Sequence, residues 1–168
     1  MSAAFERVKA FLTKAGLADR IRLPEGSSTT VELAAQALGC RLEHIAKSLS
    51  FNLAAGPVVI VVAGDAKVDN HRYKVRFHEK AHMIPAADVE RLTGHVPGGV
   101  CPFTLKDGVT LYFDESLKRF TTIFPAAAGE DHTAVELTVS EMEAAAKPAG
   151  WVDVCKAWRP EEKTAPSI

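Results

Sequence analysis

A chain of 168 residues can form one domain with a real core and is too short for two comfortable ones. A formal charge of −1 argues against a protein that grips long stretches of nucleic acid, so any such contact must be short and local. The odd, scattered cysteines Cys40, Cys101 and Cys155 argue against a disulfide framework or a cysteine-based zinc site, and the longest apolar run, PVVIVVA at 57–63, is far shorter than the roughly 20 residues of a membrane span.

Taken in chain order, FERVKAFLTKAG places Phe5, Val8, Phe11 and Leu12 at helical spacing, with Gly16 as the stop. No uninterrupted apolar segment of signal-peptide type occurs there, and the expectation is a cytoplasmic protein. IRLPEGSS reads as a short strand or extended loop. Residues 29–39 read as a second helix: Thr29 and Glu32 have capping-box spacing, Val31, Ala34, Ala35 and Leu38 form the buried stripe, and Gly39 follows the end. CRLEHIAKSLSF gives a further turn or two of helix running into a strand, with Lys47 near the junction. AAGPVVIVVAGD is a strand whose continuous β-branched run suits burial on both faces.

VDNHRYKVRFHEKAH is a polar, basic helix and its approach. Arg72, Lys74, Arg76 and Lys80 fall there among three histidines and the aromatics Tyr73 and Phe77, either as a solvated face or as a phosphate-contacting patch. MIPAADVERLTG supplies a short strand and a helix ending at Gly94. KDGVTLYFDESL and RFTTIFPAAAGED each give a turn and a strand, and HTAVELTV is the last clear strand. Ser140 and Glu143 suggest a capping box for the helix of SEMEAAAKPAG, after which WVDVCKAW and the polar tail 159–168 finish the chain. The expected architecture is α+β, a single domain over residues 1–158 with helices flanking a central sheet.

The segment LTGHVPGGVCPF at 92–103 concentrates the chemistry. Gly94 ends a helix and should be left-handed. Pro97-Gly98 favours a type II turn with Gly98 at the position needing positive φ. Gly99 allows another molecule close to the main chain, and Pro102 stiffens the exit. Such a loop presents a fixed array of main-chain donors and acceptors, although spacing alone also fits an ordinary structural turn. His95 could serve as acid or base, or stand as an ordinary surface loop histidine. Cys101 could serve as a nucleophile only beside a base or a positive field, and otherwise packs beside Val100 and Phe103. Lys47, among Ile45, Ala46 and Leu49, either snorkels to water or points its charge into a cleft. Glu130, Asp131 and His132 form a polar turn after Gly129; with His95 they allow a metal reading, but no metal-binding spacing is present.

The order of these segments is more specific than any one of them. IAKSL at 45–49, VVIVVAGDAKVD at 58–69, LTGHVPGGVCPF at 92–103 and AAAGEDHTAVEL at 126–137 together resemble the YbaK/ProX family of aminoacyl-tRNA deacylases, over residues from about 28 to 150. That family includes the editing domain of bacterial prolyl-tRNA synthetases. The resemblance implies a mixed, partly barrel-like β-sheet flanked by helices. It implies hydrolysis in trans of the ester joining a wrong amino acid to tRNA, with cysteine or alanine on proline tRNA as the expected substrates. It marks Lys47 as the functional residue, and Gly94, His95, Gly98, Gly99, Val100, Cys101, Pro102, Phe103 and Gly129 as the pocket, with Ser48 and Asp131 beside them. It implies no cofactor or metal; the partners are a tRNA acceptor end and an aminoacyl-tRNA synthetase. The alternative is a non-catalytic binding module of the same fold. The family often has glycine after Pro-Phe, where this chain has Thr104.

Overall fold

The computed structural model describes residues 3–23, 30–127 and 133–163. The chain opens with α1 (Ala3–Lys14), which buries Phe5, Val8 and Leu12 at the expected spacing, and Gly16 takes positive φ just past its end. After β1 (Ile21–Arg22), α2 (Val31–Leu38) starts one residue later than the Thr29 box predicts. Thr30 is the cap, its hydroxyl accepting from the Leu33 N–H, and Gly39 closes the helix in the left-handed region. Thr29 lies outside the described residues.

A single 3-10 turn, Leu42–His44, leads into β2 (Ile45–Leu53), so Lys47 is the third residue of a strand. β2 and β3 (Gly56–Ala63) form a hairpin closed at Leu53↔Gly56. Val58 to Ala63 are all fully buried, as their unbroken β-branched run implies. Next come β4 (Lys67–Val68), α3 (Asn70–Phe77), α4 (Ala86–Thr93), β5 (Thr110–Asp114) and the 3-10 helix Glu115–Arg119. β6 (Thr122–Pro125), β7 (Ala134–Val135), β8 (Leu137–Thr138), α5 (Val139–Ala146), β9 (Gly150–Val152), β10 (Cys155–Lys156) and the short α6 (Pro160–Lys163) complete the order.

Six strands make one mixed, curled sheet in the order β8-β6-β2-β3-β5-β9. β3 pairs parallel with β5, β5 with β9 and β2 with β6, while β2–β3 and β6–β8 are antiparallel. β1–β7 and β4–β10 form two small antiparallel ribbons.

Two local expectations need correction, and a third segment, to which the sequence reading gives no element, forms strands. HTAVELTV forms two short strands with a break at Glu136: Leu137–Thr138 pairs with β6, Ala134–Val135 pairs with β1, and Ala134 also bridges Ala126 in the same antiparallel register as β6–β8, so the segment follows β6 on both sides of the break. The box on α5 is Thr138 with Glu141, not Ser140 with Glu143. Glu141 is held there by the Thr138 N–H and by both Arg20 guanidinium nitrogens at 2.9 Å, whereas Glu143 accepts from the Trp151 indole. Finally, WVDVCKAW contributes two more strands, β9 beside β5 and β10 beside β4.

The basic segment 70–82 is also resolved into parts. Tyr73 is fully buried between Phe51 and Phe77, and Phe77 packs edge-on against Tyr112. The aromatics therefore belong to the packing, and only cations remain for a surface patch. Arg72 meets Asp69 and Asp153, and Arg76 lies over the Phe77 and Tyr112 rings.

Candidate active site

β2 determines where an opening can form. One edge is covered by β3 from Ala46 to Leu53. On the other, β6 pairs only at Ile45 and Ala46, and the segment at 82–84 joins only from Ser50 onward, where Ser50 O accepts from Ile84 N and Asn52 N donates to His82 O. Backbone groups alternate sides along a strand. Ser50 and Asn52 point away from β3, so the Ser48 N–H and C=O do too, into a gap where no described strand pairs with them. The Ser48 hydroxyl is shielded from solvent and has no partner among the described residues.

A cavity of about 450 Å³ occupies this gap. Lys47 and Ser48 form part of its wall. Val31, Ala34 and Leu38 of α2 line it as well, so three of the four residues expected to form the buried stripe of α2 face the cavity. Ile84 and Val89 border it, and Pro97, Gly98 and Val100 bring in the glycine loop. The wall is mostly aliphatic.

Lys47 is half-buried. Its ammonium donates to the Ala66 carbonyl at 2.8 Å, and no carboxylate among the described residues lies within ion-pair distance. Burial lowers its pKa from the usual lysine value; Cys155 and Asp65 act in the opposite direction. A lysine tethered to a neutral carbonyl keeps two further N–H donors for a ligand.

The loop has the expected turn. Gly98 is at φ +81°, the Gly99 N–H closes onto Val96 O at 2.9 Å, and Gly94 caps α4 at φ +89°. The exposed residue of the bend is Gly98, not Gly99. The Gly99 N–H is used within the turn and the residue is buried, whereas a Cβ built on Gly98 meets open space. Gly94 sits away from the cavity and holds the loop to α1 by accepting from Arg7 at 2.7 Å.

His95, Cys101, Pro102 and Phe103 are buried behind the loop and do not line the cavity. His95 Nε2 meets the Phe103 carbonyl at 2.7 Å. A carbonyl only accepts, so that nitrogen carries the hydrogen and Nδ1 is left as a buried acceptor without a partner among the described residues. Cys101 also donates to Phe103 O, and burial pushes its thiol up to about 12. Of the loop residues expected in the pocket, Gly98 and Val100 line the cavity, and the α2 residues that line it are not among those expected there. Gly129, Glu130, Asp131 and His132 lie outside the described residues.

The family model for the aminoacyl-tRNA editing domain matches residues 25–145. The uncharacterised protein YwhH of Bacillus subtilis (strain 168) is 47% identical over 135 residues, which span 80% of this chain and 85% of that protein. Among solved structures, one described as a candidate trans-editing enzyme for prolyl tRNA synthetase superposes with a TM-score of 0.81 at 25% identity, covering 92% of this chain and 98% of its own. The hypothetical protein APE2540 superposes with a TM-score of 0.78 at 25% identity, covering 89% and 99%.

Proposed function

Since the chain belongs to the aminoacyl-tRNA editing domain family, we propose that it is a deacylase acting in trans on mischarged tRNA. The observation that carries this reading is that Lys47, an ammonium without a carboxylate partner among the described residues, shares one cavity with the Pro97-Gly98 bend and the open edge at Ser48.

An aminoacyl ester is already activated, so the protein need not supply a strong nucleophile. The tRNA acceptor end enters with its amino acid in the aliphatic recess. Lys47 donates to a phosphate or hydroxyl of the terminal nucleotide, or to the ester oxygen. The Ser48 main chain and the loop hold the aminoacyl group in register. A water, or a hydroxyl or thiol of the substrate itself, adds to the ester carbonyl. The C–O bond to the ribose then breaks, and the ribose oxygen leaves with a proton. Positioning and preorganised donors supply the rate.

The recess also acts as a sieve, admitting small amino acids and excluding larger correct ones. Cysteine and alanine on proline tRNA are the substrates proposed first, with a prolyl-tRNA synthetase as the partner that produces them. Among the described residues no helix is long and apolar enough to cross a membrane. A cytoplasmic site of action is proposed on the grounds of the substrate.

The test is a panel of tRNAs mischarged with alanine, cysteine, serine and threonine. Hydrolysis above the spontaneous rate for at least one member supports the proposal. Binding without turnover across the whole panel would leave a non-catalytic module of the same fold.

A further inference from the structure

The position of Lys47 depends on a turn that lies outside the cavity. Its acceptor, Ala66, ends the turn 63–66, which is closed by the Ala66 N–H onto Ala63 O at 3.0 Å. The turn is wedged tightly against the entry to β2: a Cβ at Gly64 would stand 2.0 Å from the Leu42 carbonyl oxygen. The 3-10 helix Glu115–Arg119 grips it at two points. Ser116 Oγ accepts from the Ala63 N–H at 3.1 Å, and the Arg119 guanidinium takes Asp65 in a two-pronged pair at 2.9 and 2.5 Å.

Arg119 is itself locked in place. Its Nε donates to Ser116 O at 2.9 Å, and its Cζ lies 4.6 Å from the Phe120 ring centre and 5.0 Å from that of Trp158. Both partners are largely shielded, with side chains 12% exposed for Asp65 and 23% for Arg119, so the pair is far less screened than a surface ion pair. Neither residue lines the cavity.

We propose that Arg119 and Asp65 are positioning residues for Lys47: the pair fixes the 63–66 turn, and the turn's last carbonyl fixes the ammonium in the cavity wall. This rests on the deacylase reading of the site. A bidentate fork permits one orientation of the Asp65 carboxylate and hence one placement of the peptide that carries Ala66 O. The charged and titratable groups acting on Lys47 are Cys155 on β10, Asp65 in the turn, Lys67 on β4 and Glu32 on α2. Among the described residues, Asp65 is therefore the group that both holds the turn and acts on the ammonium.

The experiment compares wild type, Asp65→Asn, Asp65→Glu and Arg119→Lys. Two readouts are taken: the NMR titration of the Lys47 side chain, and kcat and KM for deacylation. In Asp65→Asn the Lys47 signal is expected to shift and its titration to move to lower pH. kcat falls about tenfold with KM within about twofold, and Asp65→Glu recovers most of the loss. Arg119→Lys keeps the charge but loses the fork, so it should disturb the Lys47 signal as well. An unmoved Lys47 signal in folded Asp65→Asn and Arg119→Lys, with kcat unchanged, would overturn the proposal. If Asp65→Asn fails to fold, Asp65→Glu and Arg119→Lys decide the matter by the same two readouts. A Lys47 signal that moves as expected in a protein that turns over no mischarged tRNA supports the positioning role and contradicts the deacylase reading instead.

Discussion

Cys101 Sγ lies 3.7 Å from His95 Nε2, yet the two do not form a catalytic dyad. Both direct their hydrogens at one acceptor, the Phe103 carbonyl, so the imidazole nitrogen nearest the sulfur has no lone pair to offer it. The thiol, pushed up to about 12, stays protonated at neutral pH. Cys101→Ala is therefore expected to keep deacylation within about threefold of wild type, at a stability cost of about 1 kcal/mol for the small void. Loss of all turnover in a folded Cys101→Ala and Cys101→Ser would restore the covalent reading.

His95 should make the fold acid-sensitive. Burial lowers its pKa below the ordinary value of 6.5, although the Phe103 bond opposes the shift. With the folded value below the unfolded one, the unfolded chain binds more protons between the two, and stability falls as pH falls. The contribution is complete above pH 6.5 and is lost as pH drops through the lowered folded value. Urea midpoints at about pH 7.5 and about pH 5.5, on either side of the histidine range, should differ more for wild type than for His95→Gln. Equal differences would show that His95 does not carry the effect.

Thr104 sits where the resembled family often has glycine, and its backbone explains why: it holds φ +54°. Its hydroxyl is buried without a partner among the described residues. A left-handed non-glycine residue costs ~1–2 kcal/mol and an unmet buried hydroxyl ~1–3 kcal/mol, while glycine returns ~0.5–1 kcal/mol through chain entropy. Thr104→Gly should thus stabilise the protein by about 1 kcal/mol, a Tm rise of about 2–4 °C at this size. A lower Tm would mean that the hydroxyl has a role the geometry does not reveal.

Gly98 combines φ +81° with open space over its Cα. Alanine there should cost about 1 kcal/mol, and asparagine, which tolerates the left-handed region, less. Gly98 lines the cavity, so kcat/KM for deacylation should fall in both, by about tenfold. A large stability loss with unchanged kcat/KM would place the bend outside the substrate path.

Much of this is legible from residues. Five β-branched positions in a row specify β3, and Pro97-Gly98 specifies the turn in its observed form. The misses share a physical origin. Two overlapping box spacings fall at the start of α5, and sequence cannot show that Arg20, more than a hundred residues away, favours Glu141 over Glu143. β9 and β10 have three and two residues, too few for any period, and owe their existence to partners about forty and ninety residues earlier. In the site, the loop announces itself through glycines and prolines. The apolar stripe of α2 looks the same whether it faces a core or a cavity. The gap beside Ser48 depends on where β6 and the 82–84 segment stop pairing with β2, a tertiary fact with no local sign.

The most direct measurement is deacylation by Lys47→Ala against wild type, on whichever mischarged tRNA the panel shows to be hydrolysed. The ammonium is expected to be indispensable. Turnover should drop by at least about a hundredfold, while the circular dichroism spectrum and melting profile stay those of a folded protein, since a half-buried lysine freed from its desolvation cost leaves no unpaired charge behind. A folded Lys47→Ala protein hydrolysing at the wild-type rate would contradict the account.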